Sequence, residues 1–226
     1  MAEIKNLILE SPHFLAFLGG VVPAFFWLWF WLHEDSKRPE PRGRIFATFL
    51  AGMLVVPLAV PIQRWIAGNF SGEITVLFFW ALTEEILKFT AVWWVALRSR
   101  DFDEPVDAMI YFITIALGFS ALENTLFIFK PLASGDAING LVTGNLRFMG
   151  AMLLHTISSG TVGIALAAAF YFKRTWRKLE YVVIGLILAT ALHTIFNFFI
   201  INTQGDVKRT FAIFSAVWLA IVFIIF

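Results

Sequence analysis

Cysteine is absent from all 226 residues, which excludes disulfides, thiolate metal sites and a cysteine nucleophile, and leaves histidine and carboxylates as candidate ligands. Charge is scarce too. Asp, Glu, Lys and Arg make up 15% of the chain, where a soluble domain carries about 25%, and 59% of it is hydrophobic. This balance excludes an ordinary soluble domain and describes a polytopic membrane protein. No small-residue cleavage site follows the first apolar run, which passes into Trp-rich and charged sequence, so the first span is expected to be kept. With no repeat, low-complexity tract or long soluble insertion, residues 1–226 are expected to form a single integral membrane domain, its motif-bearing core at about 74–201. The net charge of +1 says nothing of partners; lipid is expected around the chain, and nucleic acid is not.

What is present is a set of apolar segments, at 13–33, 45–66, 74–97, 107–129, 147–172, 181–201 and 210–226. About 20 helical residues cross a hydrocarbon core, so the fold class predicted is all-α, a transmembrane bundle of about seven spans. Ten of the seventeen Lys and Arg lie on odd-numbered connections, which places those on the cytoplasmic side and the N-terminus outside. Trp27, Trp29, Trp31, Trp93 and Trp94 stand near span ends, as interfacial belts do. Pro57 and Pro61 are expected to kink the second span, to which no chemistry is assigned. Pro131 to Asn145 is the longest connection, rich in Gly and Asn, and is expected to be a mobile solvent loop.

Charge inside these spans is the informative anomaly. Each ionisable residue near a bilayer centre costs about 2.5–3.5 kcal/mol, yet Thr83-Glu84-Glu85-Ile86-Leu87-Lys88 places three in the third segment. Lys88 lies three residues from Glu85 and four from Glu84, within helical reach of either. One ammonium balances one carboxylate; the other is left seeking a proton, a metal or a water. The fourth span carries Glu123-Asn124 with no local basic partner, the fifth His155 with Ser158 and Ser159, and the sixth His193 and Asn197 on one face. At 1.5 Å per residue, Glu84 and Glu85 lie roughly 15 Å from the even-connection end, Glu123 about 9 Å, and His155 and His193 about 12 Å. These form one layer in the outer half of the membrane. Ser158 and Ser159 are expected to serve helix packing beside Gly160 and Gly163.

Such a layer supports hydrolysis in two ways. A carboxylate in low dielectric can accept and return a proton while His193 and Asn197 donate to an oxyanion, or Glu123, His155 and His193 can hold a zinc ion, with another Glu as base. A proton- or metal-coupled transporter also needs buried Glu and His, though it usually shows repeats and a midplane site.

Glu84-Glu85-x-x-Lys88, then Glu104-Pro105-Val106-Asp107 leading through Gly118-Phe119 to Glu123-Asn124, then His155 and His193-x-x-x-Asn197, resemble the PrsW family of intramembrane proteases in order and spacing, over roughly residues 80–200. Asp35 to Pro41 resembles the acidic, Pro-rich segment after that family's first span. The wider superfamily includes the CAAX prenyl endopeptidases and the bacteriocin-immunity proteins. Prenyl endopeptidases carry His where this chain has Glu123, and an Arg one place beyond Lys88, which argues against prenyl-protein cleavage. The resemblance implies a peptide-bond hydrolase of a prokaryotic cytoplasmic membrane. It would cut a single-span, anti-sigma-factor-like protein on its extracytoplasmic side, in the manner of a site-1 protease. Family members are described both as metalloproteases and as glutamate-dependent enzymes, so a bound Zn2+ and a metal-free mechanism both stand. The roles expected are water activation by Glu84, Glu85 or both, orientation or metal sharing by Glu123 and His155, oxyanion stabilisation by His193 and Asn197, and tuning by Lys88 and Asn124.

Overall fold

The computed structural model of the chain describes residues 11–34, 38–203 and 206–225, and among them every element is helical. In a hydrocarbon solvent only intrahelical bonding satisfies the backbone of such apolar segments. The elements are α1 (Pro12–Glu34), α2 (Arg42–Asn69), α3 (Glu73–Val92) continued by a π turn (Trp93–Leu97), α4 (Pro105–Ala133), α5 (Ala137–Leu146), a second π turn (Arg147–Ala151), α6 (Met152–Ala168), α7 (Thr175–Ile201) and α8 (Val207–Ile225).

Five of these are long and apolar enough to cross a membrane: Pro12–His33, α2, α4, the continuous run Ala137–Ala168 and α7. The third segment of the sequence is helical throughout, and Glu84, Glu85 and Lys88 are what set its composition apart. The seventh forms α8, 19 residues long.

The bundle is built round α4. Of its apolar window 67% is buried, against 61% in the run Ala137–Ala168 and 28%, 39% and 33% in α1, α2 and α7. Tyr111, Phe112, Ile115 and Leu117 of α4 share one core cluster with Phe49 of α2 and Leu28 of α1. Glycine permits the closest approach. A Cβ on Gly118 would overlap the carbonyl of Phe49, and one on Gly52 would overlap that of Ile115, so α2 and α4 touch backbone to backbone.

The start of α4 is fixed by the sequence motif itself. Pro105 takes the first helical position, and the Asp107 carboxylate accepts from the backbone N–H of Asp103 (2.9 Å) and Glu104 (2.7 Å). Around it, Arg38 pairs with Glu104, Arg44 with Asp101 (2.8 Å), and Tyr111 donates to Glu40. Residues 35–37 of the acidic, Pro-rich segment lie outside the described residues.

Two expectations change here. The mobile loop foreseen over 131–145 is mostly helix, because Pro131 lies within α4 and Asp136 caps α5 by accepting from the Asn139 N–H at 3.0 Å. The tryptophans divide as well. Trp27 and Trp31 pack on the core cluster while Trp29 is 62% exposed, and the Arg98 guanidinium lies 4.9 Å and 4.5 Å from the rings of Trp93 and Trp94.

Candidate active site

Four helices bring the expected polar residues to one level. Glu84, Glu85 and Lys88 come from α3, Glu123 and Asn124 from α4, His155 from α6 and His193 from α7. Glu84, Glu85, Lys88, His155 and His193 are each at most 5% exposed, so water is largely excluded and their charges and lone pairs depend on protein partners.

The two adjacent carboxylates have different surroundings. Glu85 is saturated: Oε1 accepts from Lys88 Nζ at 2.8 Å and from His193 Nδ1 at 3.0 Å, and Oε2 from Ser159 Oγ at 2.9 Å. Glu84 accepts on Oε1 from Gln63 Nε2 at 2.7 Å, while its buried Oε2 has no hydrogen-bond partner. That oxygen lies 3.6 Å from His193 Nε2, 3.9 Å from His155 Nδ1 and 4.0 Å from Lys88 Nζ.

Donor and acceptor logic assigns the histidines. Lys88 has only protons to give, so its 3.1 Å contact makes His155 Nδ1 an acceptor and puts the proton on Nε2, which donates to Glu123 Oε2 at 3.1 Å. His193 donates from Nδ1 to Glu85, leaving the Nε2 lone pair facing the Glu84 lone pair. Two lone pairs at 3.6 Å need a positive centre between or beside them. Formal charge agrees: Glu84, Glu85 and Glu123 stand against Lys88 and Arg147, an excess of one negative charge with neutral imidazoles.

A metal fits this donor set. Glu84, His155 and His193 offer ligand atoms within 4.8 Å of one another. Two bonds of about 2.1 Å at a tetrahedral angle hold their donor atoms about 3.4 Å apart, close to the spacing of Glu84 Oε2 and His193 Nε2. The far nitrogen of each imidazole is backed by a carboxylate, Glu85 behind His193 and Glu123 behind His155, as metal-binding histidines usually are. The one contact that must yield is that of Lys88 with His155 Nδ1. Among the described residues the group close enough to share an ion includes Glu84, while Glu123, the ligand the sequence suggested, is engaged by Arg147 and His155.

Three participants were not foreseen. Gln63 comes from α2, to which no chemistry was assigned. Ser159, expected to pack, donates to Glu85, whereas Ser158 has no partner for its hydroxyl and is not joined to His155. Arg147 supplies the basic partner missing near Glu123 in sequence, pairing with Glu123 and donating from Nε to Asn124 Oδ1 at 2.5 Å. Glu84 four residues before Lys88 was a visible signal; an arginine 23 residues from Asn124 was not. Asn197, four residues beyond His193, is half-buried and makes no side-chain hydrogen bond among the described residues.

A family profile described as PrsW family intramembrane metalloprotease matches residues 40–226. Curated relatives that bear the name Protease PrsW come from several bacteria. That of Oceanobacillus iheyensis is 28% identical, covering 80% of each chain. That of Geobacillus kaustophilus is 25% identical over 82% of this chain and 80% of its own, and that of Bacillus subtilis 22% identical over 80% of each. No solved structure matches the chain significantly. With its apolar helices and these bacterial relatives, the protein is an integral membrane protein of bacterial type. It belongs to the PrsW family of intramembrane metalloproteases.

Proposed function

We propose that this protease cleaves a single-span, anti-sigma-factor-like membrane protein near the extracytoplasmic face, by water activated at Glu84. The observation that carries the reading is the Glu84 Oε2 atom, buried, without a hydrogen-bond partner, and flanked by the unprotonated nitrogens of two histidines. Depth supports the side of cleavage: the layer lies in the outer half of the membrane on the topology set by the basic connections. The substrate class rests on the family resemblance. The whole bundle is taken as the catalytic unit, since residues of α2, α3, α4, α6 and α7 all contribute.

Glu84 accepts the water proton as the water oxygen bonds to the scissile carbonyl carbon, and returns it to the amine as the C–N bond breaks. Glu85 and Lys88 are positioning residues, the first holding His193 and the second His155. Asn197, the uncommitted amide beside His193, is assigned to the oxyanion; His193, with no proton on Nε2, holds rather than donates. In the metal-bound alternative Glu84, His155 and His193 would hold a divalent ion, which would supply Lewis acidity toward the scissile carbonyl; Glu84 would then be a ligand, and the proton would pass to another carboxylate.

The test is Glu84→Gln in proteoliposomes carrying a single-span reporter substrate. Cleavage is expected to fall by about 10²–10⁴-fold with the protein still folded. Full activity in that variant would overturn the reading. Elemental analysis of wild type beside His155→Ala and His193→Ala resolves the metal: stoichiometric zinc lost in both assigns the ligands, and metal-free protein that cleaves assigns glutamate alone.

A further inference from the structure

Arg147 stands at the outer end of a continuous chain of side chains: His193, Glu85, Lys88, His155, Glu123 and Arg147, each in hydrogen-bonding contact with the next. The chain ends on an unusual piece of backbone. Arg147 opens the π turn between α5 and α6, and His155 follows eight residues later. Eight residues of α-helix turn about 800°, which would leave the two side chains about 80° apart round the axis. A π turn holds one residue more than an α turn, so it cancels about 100° of that rotation and brings both side chains to nearly the same face. Both then reach a single atom, Glu123 Oε2.

The turn is held in place from outside. A Cβ on Gly150 would overlap the ring of Phe214, so α8 packs directly on the backbone of the π turn. The guanidinium is held from three sides, by Glu123, by Asn124 and by the Phe127 ring, whose centroid lies 3.9 Å away. Its side chain is 17% exposed, and that of Glu123 19%, so the chain surfaces here.

We propose that Arg147 is a positioning residue of the active site: it fixes Glu123, and Glu123 in turn holds the Nε2–H and the ring plane of His155 at the nitrogen opposite Lys88. The inference rests on the reading of His155 as a site residue. A guanidinium suits the task because its fork engages Glu123 and Asn124 at once, and an ammonium in its place would still supply the charge that pairs with Glu123. Without it Glu123 would keep only the imidazole, and its partly exposed carboxylate would be free to turn toward the surface.

The experiment compares full-length wild type, Arg147→Gln, Arg147→Lys, Glu123→Gln and the Glu123→Gln/Arg147→Gln pair in lipid nanodiscs. Two readouts are taken: cleavage of the single-span reporter, and nitrogen-15 histidine NMR. In Arg147→Gln, kcat is expected to fall about tenfold to a hundredfold with KM unmoved. The same substitution is expected to cost nothing further in the Glu123→Gln background. In the spectra the His155 Nε2–H signal of wild type is lost in Arg147→Gln and kept in Arg147→Lys, while the His193 signals stay in place. A His155 signal unchanged in Arg147→Gln, or losses that multiply in the double variant, would overturn the proposal. Undiminished cleavage by Glu84→Gln in the same assay would instead overturn the catalytic reading, and the spectra would still decide whether Arg147 positions His155.

Discussion

At the scale of single residues, the paired carboxylates are distinguished by their partners and not by their chemistry. Glu85 holds three donors and Glu84 one, and on the function proposed above the two adjacent residues act as a structural anchor and a reactive group. Removing the ammonium beside a saturated, buried carboxylate leaves that charge uncompensated. Lys88→Met is therefore expected to lower stability by about 3–5 kcal/mol, read as unfolding of the purified protein in mild detergent with added denaturant. The double variant Glu85→Leu/Lys88→Met removes both charges and is expected to recover part of the loss. The sequence made the pairing visible through the three- and four-residue spacings, but not which Glu is paired. That depends on Gln63 and Ser159, polar side chains with no distinguishing sequence signal, which reach α3 from α2 and α6. Arg147 was hidden for a related reason: its alignment with His155 depends on a π turn, and no residue type marks one.

At the scale of elements, helix existence was legible and helix contact was not. A bilayer demands about 20 apolar residues per crossing, so six of the expected segments stand out by length alone and the seventh is recovered as α8. Which helix occupies the centre had no such signature, because a lipid-facing helix is as apolar as a buried one. The connection at 131–145 misled for the opposite reason: Gly, Asn and Pro are loop formers in water, yet Asp136 starts a new helix there within three residues of the last. The α2–α4 contact gives the sharpest prediction at this scale. Gly118→Leu would drive its side chain into the Phe49 carbonyl, and folded protein is expected to be lost, as judged by monodisperse elution after detergent extraction. By contrast Gly68→Leu, where a Cβ meets nothing within 4 Å, is expected to elute as wild type does.

At the scale of the molecule, two properties are taken together: an excess of one negative charge with neutral imidazoles, and the depth of about 12 Å below one surface of a core about 30 Å thick that the sequence count gives for His155 and His193. On the topology proposed above, that surface faces outward. A cation reaching the site from outside then crosses about four-tenths of the transmembrane field. With 100 mV, inside negative, a single charge gains about 0.9 kcal/mol and a double charge about 1.8 kcal/mol. Occupancy is expected to tighten about fivefold or about twentyfold respectively, as checked in outward-oriented proteoliposomes by imposing a potassium diffusion potential at limiting zinc. Reversing the potential should weaken it by the same factor. On that proposal, the burial that gives Glu84 its reactive setting would also make cation binding sensitive to voltage, and a depolarised cell would loosen the hold on a bound cation before any side chain had moved.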